Sequence, residues 1–323
     1  MQPELTSTVA PPAKPTRTEL LRRFLEAYWL RPENAFWMTL RSMALGQVPL
    51  AGPAADLCCG DGVFTFLHTG GVFDPAFDVF SAVDHLDDVR DQHSDMFDCV
   101  NDAYHPPIVV RPESRIAAGT DHKAALLAKA QRLDLYDRLV EHDANTTLPF
   151  EEDSFETVYC NAAYWVSDID GFLKEMARIT RPTGRVVLQV KLDSLKGYTL
   201  ESHRDSLGDR FLDIIGRGRA ESWPSLADRA TWESRFVAAG LSVEEATPFI
   251  TRTHAHIWDI GLRPIAPILV RMANNLSPQT RTETKRDWVD LFRELLDPIT
   301  DPGVDLFPRT EEPGEIQYVL ALR

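Results

Sequence analysis

The stretch Ala54-Ala55-Asp56-Leu57-Cys58-Cys59-Gly60-Asp61-Gly62, continued by Val63-Phe64-Thr65-Phe66-Leu67, limits the fold more than any other part of the chain. A short apolar run ends at a carboxylate, a turn of small residues follows, and an apolar pattern that fits a helix then resumes. Strand, turn and helix in this order open an α/β nucleotide-binding domain, where glycine lets the backbone approach a ligand that a β-carbon would exclude. A dinucleotide fingerprint would require a third glycine where this chain has Thr65, and it has no use for an acid at the end of the first strand. Nicotinamide oxidoreduction is therefore disfavoured.

The same residues resemble the first motif of class I S-adenosylmethionine-dependent methyltransferases, acidic-x-Gly-x-Gly-x-Gly. Asp56, Gly60 and Gly62 match it, and Cys58 stands where that family more often has glycine. A small thiol fits there if the backbone keeps a negative φ. A second segment is more specific. The acid Asp143, the turn Leu148-Pro149-Phe150, the acidic loop Glu151-Glu152-Asp153 and the strand-like Phe155-Glu156-Thr157-Val158 resemble the ubiquinone-biosynthesis-like branch of these enzymes. Arg181-Pro182-Thr183-Gly184-Arg185 stands where the family usually has Lys-Pro-Gly-Gly.

The resemblance implies a Rossmann-like, seven-stranded, mostly parallel sheet with helices on both faces, an N-terminal helical lid and a C-terminal insertion before the last strand. It implies S-adenosylmethionine as cofactor, held by Asp56, Cys58, Gly60, Asp61 and Gly62 of the turn and by Asp84 with its neighbour His85. Asp84 ends the strand-like run Phe77-Asp78-Val79-Phe80-Ser81-Ala82-Val83, where a carboxylate can accept from both ribose hydroxyls; Asp87 and Asp88 are nearby alternatives. Asp143 would accept from the adenine amine and Ala144 would offer its amide. Asn161, Tyr164 and Trp165 would pass beneath the methionine part and line the acceptor site.

Residues 1–16 read as a proline-bearing flexible leader without the apolar core of a signal peptide. Residues 17–50 form two helices broken at Leu30-Arg31-Pro32, because proline disfavours helix before it and starts one well. Their aromatic residues, Tyr28 and Trp29 among them, either pack this pair onto the core or form a lid over the substrate. Residues 51–190 are the cofactor-binding core, with an insertion at 89–120 that shapes the acceptor pocket. Asp121 is suited to cap the Ala-rich helix that follows. Residues 191–323 supply substrate-shaping helices and two strands, Leu241 to Phe249 and Glu315 to Leu322. Between them His254 and His256 alternate, so on a strand both face one side. Plain packing, a general base, with His256 also a substrate contact, and a metal pair are the three readings; no third ligand at suitable spacing is present, so no metal is assigned.

A net charge of −15 repels phosphate backbones and anionic membranes, which argues against nucleic acid or a membrane surface as partner. It also favours a neutral or cationic small-molecule acceptor over a polyanion. The four cysteines, at 58, 59, 99 and 160, form no C-x-x-C pair and fit a reduced, cytoplasmic protein. The expectation is a cytoplasmic enzyme that methylates O, N or C of a small biosynthetic intermediate. The alternative is a non-catalytic cofactor- or partner-binding protein on the same fold.

Overall fold

The structure is a computed structural model, and it describes residues 15–46, 48–50, 52–83, 96–102, 104–216, 219–259, 261–304, 306–307 and 311–323. Seven strands form the main sheet: β1 (Ala54–Leu57), β2 (Ile116–Asp121), β3 (Tyr136–Glu141), β4 (Phe155–Cys160), β5 (Thr180–Lys191), β6 (Leu241–Ile250) and β7 (Glu315–Leu322). Their order across the sheet is β3-β2-β1-β4-β5-β7-β6, the first five parallel and β7 antiparallel to both its neighbours. The expected seven-stranded, mostly parallel sheet is the one found. Strand order reverses at β1, between β2 and β4, and a parallel sheet opens its ligand crevice at the carboxyl ends flanking such a point.

Side chains alternate across this sheet, so each strand feeds two cores. Tyr159, Val187 and Val319 face one, together with the aromatic residues of α1 (Arg17–Ala27) and α2 (Pro32–Leu45). Val158, Val186, Leu188, Tyr318 and Leu320 face the other, covered by α5 (Ile169–Ile179) and α6 (Arg229–Ala238). The helix pair begins as its sequence dictates. Thr16 and Glu19 make a reciprocal capping box on α1, and Pro32 is the first residue of α2. Tyr28 and Trp29, at their junction, are both buried.

The second strand is not where the sequence places it. Phe77 to Val83 form successive turns, with amide-to-carbonyl bonds from Phe77 to Asp74 (2.9 Å) and from Val83 to Phe80 (3.2 Å). Asp78 accounts for this: its Oδ1 caps the Phe80 amide at 2.9 Å, and its carboxylate takes the Arg281 guanidinium at 3.0 Å. Arg281 lies on α9 (Pro278–Leu296), whose Lys285 donates to the carbonyls of Pro75 and Phe77. Asn274, at the end of α8 (Ala266–Asn274), holds the Val83 carbonyl at 2.9 Å. The segment is thus an underside for the C-terminal helices, and Asp84, His85, Asp87 and Asp88 lie outside the described residues. The strand beside β1 is β2, with Asp56 opposite Gly119 and Leu57 opposite Thr120. The insertion accordingly precedes β2 and follows α3 (Val63–His68), carrying a small ribbon in which Val72–Phe73 pairs with Ile108–Val110.

The Ala-rich helix is α4 (Ala124–Gln131), which starts three residues after Asp121 rather than being capped by it. His254 and His256 are on α7 (Arg252–Asp259), not on a strand. Among the described residues no helix is long and apolar enough to cross a membrane.

Candidate active site

The turn after β1 is built from left-handed backbone at Cys58 (φ 57°), Gly60 (φ 60°) and Gly62 (φ 74°). Cys58 therefore departs from the negative φ expected of it; a non-glycine residue there costs about 1–2 kcal/mol. Its thiol lies against that of Cys160 at the end of β4, which, ahead of burial, keeps it well above the usual thiol range.

The two glycines do different work. A β-carbon on Gly62 would meet Tyr136, Leu133 and Ala130 at 3.0, 3.1 and 3.2 Å, so Gly62 lets the turn pack on α4 and β3. A β-carbon on Gly60 would meet nothing within 4 Å. The space beside Gly60 is open, and its amide points sideways to the Asp121 carboxylate, Oδ2, at 3.0 Å.

Asp121 closes β2 and is nearly buried. Oδ1 accepts from the Lys123 amide at 3.0 Å, and its own carbonyl accepts the His142 amide at 2.9 Å, which draws the loop after β3 alongside. Asp143 follows. It is exposed, and its carboxylate accepts from the amide and the side chain of Asn145 (2.9 and 2.8 Å), which hold it below the usual carboxylate range. Gly60, Asp121, Asp143 and half-buried Ala144 thus line one side of the crevice, and Asn161, just past β4, lies on the other.

Asp56 does not face this space. Its Oδ2 accepts from Thr65 Oγ1 (2.5 Å) and from the Tyr136 hydroxyl (2.7 Å), and burial raises it to about 6. It fixes the turn from beneath, and Thr65, where a dinucleotide site has glycine, is one of its clamps. Asp61 caps the Val63 amide at 3.1 Å, and burial raises its carboxyl. Tyr28 from the N-terminal pair meets Asp61, and burial first and that carboxylate next raise its hydroxyl well above the usual phenol range. Trp29 instead packs edge-on against Trp288 at 6.2 Å.

Toward β5 the crevice is walled by Tyr164, in the short helix Ala163–Trp165 that follows β4. Lys191 Nζ sits over its ring at 3.7 Å, and the Arg41 guanidinium over it at 5.5 Å. Arg41 is bound by both oxygens of buried Glu315 (2.8 and 3.1 Å). Trp165 is 52% exposed and lies outside this wall. Neither histidine reaches it in the expected way. A helix turns about 100° per residue, so His254 and His256 lie on different faces. His254 accepts from the Thr251 amide at 3.1 Å and its other ring nitrogen meets the Ile299 carbonyl at 3.1 Å, so both ring nitrogens are engaged inside the core. His256 stacks on Phe307 at 5.1 Å, with burial and then Arg252 lowering its affinity for a proton. A depression of about 590 Å³ between α4 and β3, lined by Ala124, Leu127, Gln131 and Glu141, faces outward from the edge strand and contains no residue of the turn.

Asp121, Lys191 and their neighbours were not singled out by the sequence as site residues. The signal for Asp121 was present: Ile116-Ala117-Ala118-Gly119-Thr120-Asp121 is a small-residue run ended by an acid and followed by a helix.

The profile of a protein family described as a methyltransferase domain matches residues 109–188, from just before β2 into β5. The match begins within the ribbon of the insertion and so does not include the glycine turn. None of the curated proteins matches the chain. Among solved structures, a Haloferax volcanii protein in complex with the Trm112 methyltransferase activator is 18% identical over 90% of this chain and 91% of its own, with a TM-score of 0.43. A Geobacter sulfurreducens S-adenosylmethionine-dependent methyltransferase solved with S-adenosyl-L-homocysteine is 16% identical over 88% and 90%, with a TM-score of 0.41. One from Mesorhizobium loti is 15% identical over 88% and 96%, with a TM-score of 0.40. At these values the likeness adds nothing to the strand order itself. The open cradle at Gly60 and the strand-end acid beside it have the space and polarity to take an adenosyl group, and residues 109–188 match a methyltransferase domain.

Proposed function

We propose that the enzyme methylates a small molecule held over the carboxyl ends of β4 and β5, and that Asp121, not Asp84, receives the ribose. The observation that carries the second part is the bond from the Gly60 amide to Asp121, which fixes an acid of the neighbouring strand at the rim of the only stretch of turn backbone with free space beside it among the turn glycines. Asp143 and Ala144 stand next along the same edge for the adenine, as the resemblance implies. Asp56 supports the turn from below and Asp61 meets Tyr28, which makes the N-terminal helices part of the cover.

A small acceptor is supported by how closed the far wall is. Trp37 of α2 and Trp258 of α7 pack with tilted rings at 4.5 Å, both are buried, and Lys191, near Trp258, is 5% exposed. A polymer would need an open groove there. The Leu148-Pro149-Phe150 turn, anchored by Arg178 on the carbonyls of Leu148 and Phe150, remains the basis for placing the chain in the ubiquinone-biosynthesis-like branch. S-adenosylmethionine supplies a methyl group already activated by its sulfonium. The protein's share is therefore to hold the acceptor in line and to exclude water, effects that can supply much of a rate on their own. Titration of the folded protein with S-adenosylhomocysteine, followed by a labelled-methyl screen across small phenols, amines, carboxylates and phosphates, tests the reading. Binding with transfer to one class supports it; binding with no transfer to any class returns the non-catalytic alternative.

A further inference from the structure

Beyond the cofactor crevice, the carboxyl end of β5 gathers several positive charges around Tyr164 and Trp258. Lys191 lies three residues past the row formed by Leu57, Cys160 and Leu188 across β1, β4 and β5. That places it roughly 10 Å above the row and roughly 10 Å sideways from the glycine turn. Its Nζ makes no hydrogen bond and no ion pair among the described residues, although the side chain is buried. Glu315, opposite it on β7, is taken by Arg41.

Two further cations share its surroundings. The Trp258 ring has the Arg219 guanidinium at 4.0 Å, the Arg263 guanidinium at 5.0 Å and Lys191 Nζ at 5.5 Å. Arg219 is 5% exposed. Its Nη1 lies against the Asp259 carboxylate, while Nε and Nη2 have no hydrogen-bond partner among the described residues. Asp259 also takes the Leu200 amide at 2.6 Å, and Glu33 is occupied by Arg31 and the Leu262 amide. Unfilled donors on buried cations are strongly destabilising unless a ligand fills them. The aromatic rings of Tyr164 and Trp258 stabilise the charges but accept no hydrogen bond of the strength an oxyanion offers.

We propose that Lys191 and Arg219 form an oxyanion subsite that binds a carboxylate or phosphate group of the methyl acceptor, with Tyr164 and Trp258 flanking its apolar body. The inference rests on the methyltransferase reading for the word acceptor, but the anion subsite stands on its own residues. Electrostatics agree with the geometry. Burial first, then Arg41, Arg263 and Arg219, push Lys191 down to about 7 against the pull of Glu315, and burial with Arg263 and Arg31 works against charge on Arg219. A guanidinium keeps its proton regardless, so an incoming anion relieves that field. The acidic surface of the whole molecule would then discriminate against polyanions at long range, while these two cations would take a single anionic head.

The test uses the full chain saturated with S-adenosylhomocysteine and three probes of one shape: benzoate, phenyl phosphate and neutral benzyl alcohol. Calorimetric titration is expected to show one of the anions binding at least about tenfold more tightly than the alcohol, and the preferred anion identifies the head group. Lys191→Met should lose that preference by about tenfold or more while S-adenosylhomocysteine affinity stays within about threefold, and Lys191→Arg should keep most of it. Lys191→Met removes an unpaired buried charge, so it should melt no lower than the parent, which keeps the test readable. Equal binding of benzyl alcohol, no binding of any probe at millimolar concentration, or unchanged anion affinity in Lys191→Met would overturn the proposal. Loss of S-adenosylhomocysteine binding with anion binding retained would instead overturn the methyltransferase reading alone.

Discussion

Replacing Asp121 separates the two acids that compete for the ribose. In the folded protein its carboxylate accepts two backbone amides, Gly60 through Oδ2 and Lys123 through Oδ1, both at 3.0 Å. Hydrogen bonds to a charged group contribute about 1.5–3 kcal/mol each, and a partner left unpaired costs about 1–3 kcal/mol. Both amides lie at the crevice rim, where water can replace part of the loss, so Asp121→Ala should cost stability about 2 kcal/mol. For the cofactor, loss of one or two ribose hydroxyl contacts at the same scale weakens binding by about 10- to 100-fold, since 1.4 kcal/mol is a factor of ten. Asp121→Asn keeps one carbonyl acceptor and should fall near the lower figure. Asp84→Asn is the control and should stay within about threefold of the parent. Calorimetric titration with S-adenosylhomocysteine, run on variants whose circular dichroism shows them folded, reads both effects. Parent-like affinity in Asp121→Asn together with weakened binding in Asp84→Asn would refute the assignment and return the ribose to the earlier acid.

Asp56 predicts a pH dependence of stability. Its folded value of about 6 lies above the roughly 3.9 of an unfolded aspartate, so between those values the unfolded chain has lost a proton that the folded chain keeps, and stability falls as pH rises. The loss should approach about 3 kcal/mol and level off above pH 6, and it should be missing in Asp56→Asn; parallel denaturation curves for the two proteins from pH 4 to 7 would contradict this. The turn glycines should divide their effects. Gly62→Ala should lower the melting temperature through a cost of about 2–3 kcal/mol, because a left-handed residue would press on Tyr136 and Leu133. Gly60→Val would share the left-handed strain but meet no neighbouring atom, and it should abolish S-adenosylhomocysteine binding; retained binding in folded protein would show that the open space is not the cofactor's.

How much of this was legible follows from which residues signal locally. The glycine turn, α2 starting at Pro32, β4 at Phe155 and the terminal pair β6 and β7 were readable because their patterns depend on near neighbours. The strand β2 was not. Its centre is Gly119, where a β-carbon would meet Leu139 and Tyr136 at 2.9 Å, so close packing required the residue that most weakens a strand signal. Phe77 to Val83 carried the stronger strand pattern, but Asp78 is spent on a turn and on Arg281, a partner far along the chain. His254 and His256 alternate in sequence yet sit on a helix, since their surroundings, the Thr251 amide and the Ile299 carbonyl, are set by tertiary packing. Lys191 gave no local signal at all; its isolation depends on Arg41 having taken Glu315.

The place of β1 at the centre of the sheet has a practical side. The stretch with the family signature, 109–188, holds four of the five parallel strands but lacks the one that divides them. Excised, it would present two raw edges where β2 and β4 once met a common neighbour, an invitation to self-association. The opening and closing portions of the chain are also tethered, Arg17 to Asp297 and Asp301. Trimming toward the recognisable middle would therefore dismantle the molecule, and expression designs should retain everything from the first helix to β7.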